Sequence, residues 1–255
     1  MDLGIEGRVA LVMGASKGIG RACAASLAGE GARVAIASRS RERIDATAQE
    51  LSGAATGEVR GFVADASDPD TLPALVREVE QSLGPVEILV TNTGGPPIGE
   101  GLGFDRETWE AAYRALVLAP LALIGAVVPG MRERGWGRIV NITSATTREP
   151  APAFMLSNSH RLAAVGAFKT LAGELGRDGI LLNSVAPGFI ATDRIAQLRG
   201  VPLEELSEVE APDVPVGRLG RPEEMGDVIA FLCSERASYV TGQNLLVDGG
   251  RVGAI

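Results

Sequence analysis

Three glycines in the run Met13-Gly14-Ala15-Ser16-Lys17-Gly18-Ile19-Gly20 are the residues whose spacing points most directly to chemistry. They follow Val9–Met13, a short apolar run that suits a strand buried on both faces. Glycines so spaced permit a tight turn, a close backbone approach to a ligand and close packing of the next helix. A helix opening near Ile19 aims its free N–H groups and positive dipole end over that turn, where a pyrophosphate fits. Alone, the same residues also make an ordinary strand–helix turn.

The rest of the chain supplies the elements that must hold such a turn in place. Apolar strand-like runs at Val9–Met13, Arg33–Ala37, Glu58–Val63, Val86–Thr91, Gly137–Ile142, Ile180–Val185 and Asn244–Val247 alternate with helix-period segments. Those segments run to about Gly29, then cover Arg41–Leu51, Pro69–Ser82, Asp105–Arg134, Phe154–Gly176 and Pro222–Ser234. Pro187-Gly188 breaks the sixth strand into a long irregular segment reaching Arg218. This alternation predicts an α/β fold, a doubly wound parallel sheet of about seven strands with helices on both faces. No linker or composition shift divides residues 1–255, so one domain is expected. In such sheets ligands sit beyond the carboxyl ends of the strands, where the strand order reverses. Gly14–Gly20, Ser38-Arg39, Asp65, Asn92–Gly95, Thr143-Ser144 and Pro187-Gly188 all occupy that place, which points to a dinucleotide.

The residues after the second strand bear on which dinucleotide. A carboxylate there accepts from the ribose 2′-hydroxyl of NAD, whereas a cation accommodates the 2′-phosphate of NADP. This chain has Ser38 and Arg39, with no acid before Glu42, and Lys17 in the glycine turn adds a second cation. NADP(H) is therefore expected over NAD(H); the competing account makes both cations plain solvated surface groups.

Composition narrows the partners. A formal net charge of -8 provides no basic stripe for nucleic acid. Two distant cysteines, Cys23 and Cys233, form neither a disulfide framework nor a metal-ligand pattern, and a single histidine rules out a multi-histidine metal site. The start Met-Asp-Leu-Gly-Ile-Glu lacks the features of a signal peptide, and no apolar run reaches about 18 residues, so a cytoplasmic protein with no membrane partner is expected.

The chain resembles the short-chain dehydrogenase/reductases, and within them the reductases of 3-oxoacyl chains carried on acyl carrier protein. The likeness rests on Gly14-x-x-x-Gly18-x-Gly20, Asp65, Thr91-Asn92-Thr93-Gly94, Ile139–Ser144, Asn183-x-x-Ala186-Pro187-Gly188 with Thr192, and Thr241-Gly242-Gln243 to Asp248-Gly249-Gly250. It implies a Rossmann-type fold and a homo-oligomer acting on a small-molecule carbonyl/alcohol pair. It also implies a cofactor site of Gly14, Ser16, Lys17, Gly18, Ile19, Gly20, Arg39, Asp65, Ala66, Asn92, Gly94, Pro187, Gly188, Ile190 and Thr192.

The family's catalytic set is a serine, a Tyr-x-x-x-Lys and an asparagine, and the resemblance places these at Ser144, Ser157, Arg161 and Leu116. Only the serine matches, so the resemblance is to a divergent branch with an atypical active site. A phenol near a cation can protonate a carbonyl oxygen, but an aliphatic hydroxyl such as Ser157 is a far weaker acid. Arg161 keeps the charge and a reach to the nicotinamide ribose in a different shape. Leu116 cannot hold a relay water. His160, three residues after Ser157, lies on the flank of the same helical face and is of a residue type suited to acid–base work; the alternative is that it packs against a neighbour. Ser144 is either an oxyanion donor or a strand-end cap. A substrate lid is implied within about 189–218, where Glu204, Glu205, Glu208, Glu210 and Asp213 either repel acidic substrates or form a solvated face. Two functions follow from these residues: a reductase with rearranged acid–base groups, or a silent dinucleotide binder serving as sensor or partner subunit.

Overall fold

Alternate residues of β1 (Val9–Met13) go to opposite faces of the sheet, which is why the whole run is apolar. Ala10 and Val12 pack with Cys23, Leu27, Met225 and Ile229 on one side. Val9, Leu11 and Met13 pack with Val76, Leu123 and Phe168 on the other. The computed structural model describes residues 1–254, the side chains of residues 207 and 208 excepted.

The strands β2 (Arg33–Ser38), β3 (Val59–Val63), β4 (Val86–Thr91), β5 (Gly137–Ile142), β6 (Ile180–Pro187) and β7 (Asn244–Val247) join β1 in one parallel sheet, ordered β3-β2-β1-β4-β5-β6-β7. Val12 pairs with Ile36 on one side and Val90 on the other, so the order reverses at β1. The crevice beyond that reversal is the expected place for a ligand. The predicted doubly wound sheet is thus the observed one. β6 runs two residues past the expected end because Ala186 and Pro187 still pair with Leu246 and Val247.

Helices α1 (Gly18–Gly29), α2 (Arg41–Ala54) and α3 (Leu72–Leu83) follow the first three strands. Ser40 caps α2 by accepting from the Arg43 N–H at 3.3 Å. The buried face of α3, Leu72, Leu75, Val76, Val79 and Leu83, has helical spacing. The segment expected as one helix over Asp105–Arg134 is α4 (Arg106–Tyr113), a π turn (Arg114–Leu118) and α5 (Ala119–Arg134). Pro120 explains the wide turn. It has no N–H for a carbonyl one turn earlier, and the Ala119 N–H bonds Arg114, five residues back. The continuous run Arg106–Arg134 is long and apolar enough to cross a membrane by length and composition. That corrects the expectation that no segment reaches this length. Here Leu123, Val127 and Met131 are buried against the sheet.

After β5 come α6 (Met155–Leu175), α7 (Asp193–Arg199) and α8 (Pro222–Leu232). The stretch expected to be irregular up to Arg218 is more ordered than that. It holds α7 and a short 3-10 helix (Leu203–Glu208), with Ile195, Ala196, Leu206, Ala211, Val214 and Leu219 closing a small core of their own.

Candidate functional site

The glycine turn is shaped by close backbone contacts. Gly14 and Gly18 have φ of 59° and 56°, the left-handed region that favours glycine. A Cβ on Gly20 would lie 2.4 Å from the Gly14 carbonyl oxygen, so α1 can approach β1 only with glycine there. Asn92 Nδ2 donates to the same Gly14 carbonyl at 3.2 Å, tying the end of β4 to the turn. Ser16 and Ile19 are half-buried in the turn, and Gly94 opens onto free space. At the end of β6, a Cβ on Gly188 would meet Asp248 Cα at 2.7 Å, so this glycine lets the ends of β6 and β7 converge. Ile190 is buried beyond Pro187 and Gly188, and the Thr192 methyl lies against Gly18. Asp65, with Ala66 after it, follows the end of β3 by two residues and accepts from the Ser67 N–H at 2.9 Å.

At the end of β2 the hydroxyl of Ser38 is buried with no hydrogen-bond partner. Arg39 beside it is exposed and makes no ion pair or hydrogen bond among the described residues. An unpartnered hydroxyl next to a free guanidinium can hydrogen-bond an anionic oxygen group, so this edge is compatible with a phosphorylated dinucleotide. Lys17, the other expected cation, instead pairs with Asp193 of α7 at 3.1 Å across a largely solvated contact.

Ser144, Ser157 and Arg161 converge at the end of β5. Ser144 Oγ accepts from the Thr146 N–H at 3.2 Å, capping a 3-10 turn (Ala145–Thr147) and leaving its own proton free to donate. Thr146 Oγ1 stands 3.5 Å from Ser157 Oγ, at the outer limit of a hydrogen bond. One turn on, Arg161 is buried and donates from Nη1 to the Ile142 carbonyl at 2.7 Å. Burial, with Arg194 nearby as the lesser cause, pulls its guanidinium down to about 10. Leu116 is buried in the π turn that packs on α6.

His160 is buried in a different seam. Its ring centroid lies 5.2 Å from Trp109 and 6.1 Å from Tyr113, both on α4. Nδ1 lies 2.8 Å from the Leu156 carbonyl, which can only accept, so the proton sits on Nδ1. No hydrogen bond joins His160 to Ser144, Ser157 or Arg161 among the described residues.

Residues 14–251 match the family model described as enoyl-(acyl carrier protein) reductase. With the glycine turn and sheet order above, that match decides the matter. The chain belongs to the short-chain dehydrogenase/reductase family. It is 35% identical to a 3-oxoacyl-[acyl-carrier-protein] reductase of Thermotoga maritima over 97% of this chain and 99% of that one. L-Sorbose reductase of Gluconobacter frateurii, in complex with NADPH and L-sorbose, superposes with a TM-score of 0.92 at 33% identity, covering 100% of both chains. A 3-oxoacyl (acyl-carrier-protein) reductase of Agrobacterium tumefaciens with NADP bound gives 0.89 at 30%, over 97% and 95%.

Within this short-chain reductase, the structure adds residues that sequence reasoning missed. Thr146 bridges Ser144 and Ser157, a link hidden because the intervening loop folds back as a 3-10 turn. Arg194 reaches from α7 to the Pro96 carbonyl at 2.8 Å, and its guanidinium covers Gly95. The segment after β6 therefore sets a cation against the β4 loop. Its acids lie elsewhere: Asp213 pairs with Arg251 at 3.3 Å, Glu205 and Glu210 are exposed, and Glu208 lies outside the described side chains. Among the described residues no three His, Cys, Asp or Glu side chains are grouped to hold a metal.

Proposed function

We propose that this chain is an NADP(H)-dependent oxidoreductase of a small-molecule carbonyl/alcohol pair, built as one domain with a lid over about 189–218. The observation that carries the reading is the orphan Ser38 hydroxyl beside the unpaired Arg39. Gly14, Ser16, Gly18, Ile19 and Gly20 would hold the pyrophosphate. Asp65, Ala66, Asn92 and Gly94 would line the adenosine and ribose side, and Pro187, Gly188, Ile190 and Thr192 the nicotinamide side. Lys17 is one salt bridge away from joining Arg39 at the phosphate. When bound, NADPH supplies the hydride.

The chain's own residues then handle charge and proton. Ser144, with Oγ already accepting an N–H, donates its hydroxyl proton as a hydrogen bond to the substrate oxygen. The buried Arg161 cation favours negative charge on that oxygen. Ser157 and Thr146 are too weak as acids to supply a proton themselves, so they pass one from solvent. Because Nδ1 is committed to Leu156 and the ring to Trp109, His160 is assigned to packing rather than to the proton path.

The test is a fluorescence titration with NADPH and NADH. Tighter NADPH binding supports the reading, and equal binding removes the phosphate site. The missing phenol favours a second reading, a silent dinucleotide-binding sensor or partner subunit. Saturable NADPH binding without oxidation by ketones, 3-oxoacyl thioesters or diketones, unchanged in His160→Ala, would establish it. Exposed Leu162, Phe231 and Leu245 on α6, α8 and β7 support a homo-oligomer, measurable by light scattering. Two unpaired thiols suit a reducing, cytoplasmic setting.

A further inference from the structure

Three consecutive residues after β6 reach both rims of the crevice between β1 and β4. The Thr192 methyl lies against Gly18 of the glycine turn. Asp193 Oδ2 stands 3.1 Å from Lys17 Nζ in the same turn. Arg194 donates from Nη2 to the Pro96 carbonyl at 2.8 Å, in the loop after β4. β1 and β4 are the neighbours at which the strand order reverses, so the start of α7 spans the mouth of the dinucleotide crevice.

Lys17 is the one cation between Gly14 and Gly20. Arg21, just past that turn, is taken up by Glu50 of α2. In the free protein a carboxylate thus holds the ammonium that the glycine turn would offer to a phosphate. A second anion arriving there meets a cation already in use and a like charge beside it. The pair is solvated, with 55% of the Lys17 side chain and 39% of that of Asp193 exposed. The flexible lysine stem can therefore change partners, and the contact is worth at most about fivefold in an equilibrium.

We propose that Asp193 is an internal competitor for the cofactor's 2′-phosphate, and that it lowers the preference of this protein for NADPH over NADH. When NADPH binds, Lys17 leaves the carboxylate and turns to the phosphate beside Arg39. The proposal rests on the NADP(H) reading. It makes a residue of α7, outside the glycine turn, a determinant of how far the two cofactors are told apart.

Fluorescence titrations with NADPH and with NADH, on wild type, Asp193→Asn, Lys17→Met and the double variant, test it. Asp193→Asn should bind NADPH about three- to fivefold tighter and NADH as before. Lys17→Met should bind NADPH more weakly, and adding Asp193→Asn to it should change nothing further. An equal gain for both cofactors in Asp193→Asn overturns the proposal, since Lys17 would then serve the pyrophosphate. A gain that persists without Lys17 also overturns it, since Asp193 would then be a general repulsive charge. Asp193→Ser, also uncharged, takes the place of Asp193→Asn should that variant not fold. NADPH bound no tighter than NADH by both wild type and Asp193→Asn overturns the cofactor reading itself. A wild-type preference for NADPH that Asp193→Asn leaves unaltered overturns only the role of Asp193.

Discussion

Arg39 and Arg161 carry the two charges on which the account turns, and each makes a separate prediction. Arg39 has nothing to hold in the free protein, so Arg39→Asp leaves folding intact and removes only the partner of a 2′-phosphate. Hydrogen bonds to charged groups are worth about 1.5–3 kcal/mol, so NADPH affinity should fall at least about tenfold while NADH affinity rises, read by fluorescence titration. Arg161 is the reverse case, a cation that the fold holds at a cost. Its folded pKa of about 10 lies below the ordinary 12.5, so the charged form is disfavoured by folding. The penalty is fully present below about pH 10 and fades as pH rises from there toward the unfolded value. Arg161→Met should therefore raise the stability of the free protein by about 1 kcal/mol at neutral pH, in urea denaturation, while abolishing turnover. The advantage of the variant should shrink above pH 10.

At the scale of elements, α8 shows how a helix start is held. Glu224 accepts from the Arg221 N–H at 2.7 Å and pairs with Arg218 at 2.7 Å. Those hydrogen bonds hold its carboxyl near 2, against an ordinary 4.5. A depressed carboxylate stabilises above its unfolded pKa, and that contribution is lost as pH falls from 4.5 toward 2. The site is solvated, so Glu224→Gln should cost only about 1 kcal/mol at pH 7, with the difference vanishing in acid, as measured by thermal denaturation. The strands and their glycine turn were legible because buried parallel strands and left-handed glycines leave strong local signatures, as at Val9–Met13 and Gly14–Gly20. The wide turn at Arg114–Leu118 was not, since a proline after a long apolar run marks a defect without naming its form. Nor was the Arg194 contact with Pro96, which depends on α7 folding back over a loop 98 residues earlier in the chain. The Lys17–Asp193 pair was hidden for the same reason, its acid being brought to the glycine turn by α7.

As a whole, the molecule is one parallel sheet with most of its candidate site residues beyond the carboxyl ends of the strands. Cys23 and Cys233 lie in the layer between α1, α8 and the sheet, and burial pushes both thiols up, Cys233 to about 12. Neither should react with a thiol reagent in the native protein at pH 8, and both should react after denaturation. A reading of one or two thiols in the native state would mean that this layer opens. The central claim is that carbonyl reduction here proceeds without a titrating side-chain acid, on a serine hydroxyl and a buried guanidinium. The pH dependence of kcat/KM for NADPH-dependent reduction of whichever ketone, diketone or 3-oxoacyl thioester is turned over tests it most directly. The account predicts a rate that is level from about pH 6 to 9 and falls as Arg161 loses its proton near 10. No turnover at any pH, or a rate that falls as pH rises through the ordinary imidazole range of about 6.5, would contradict it.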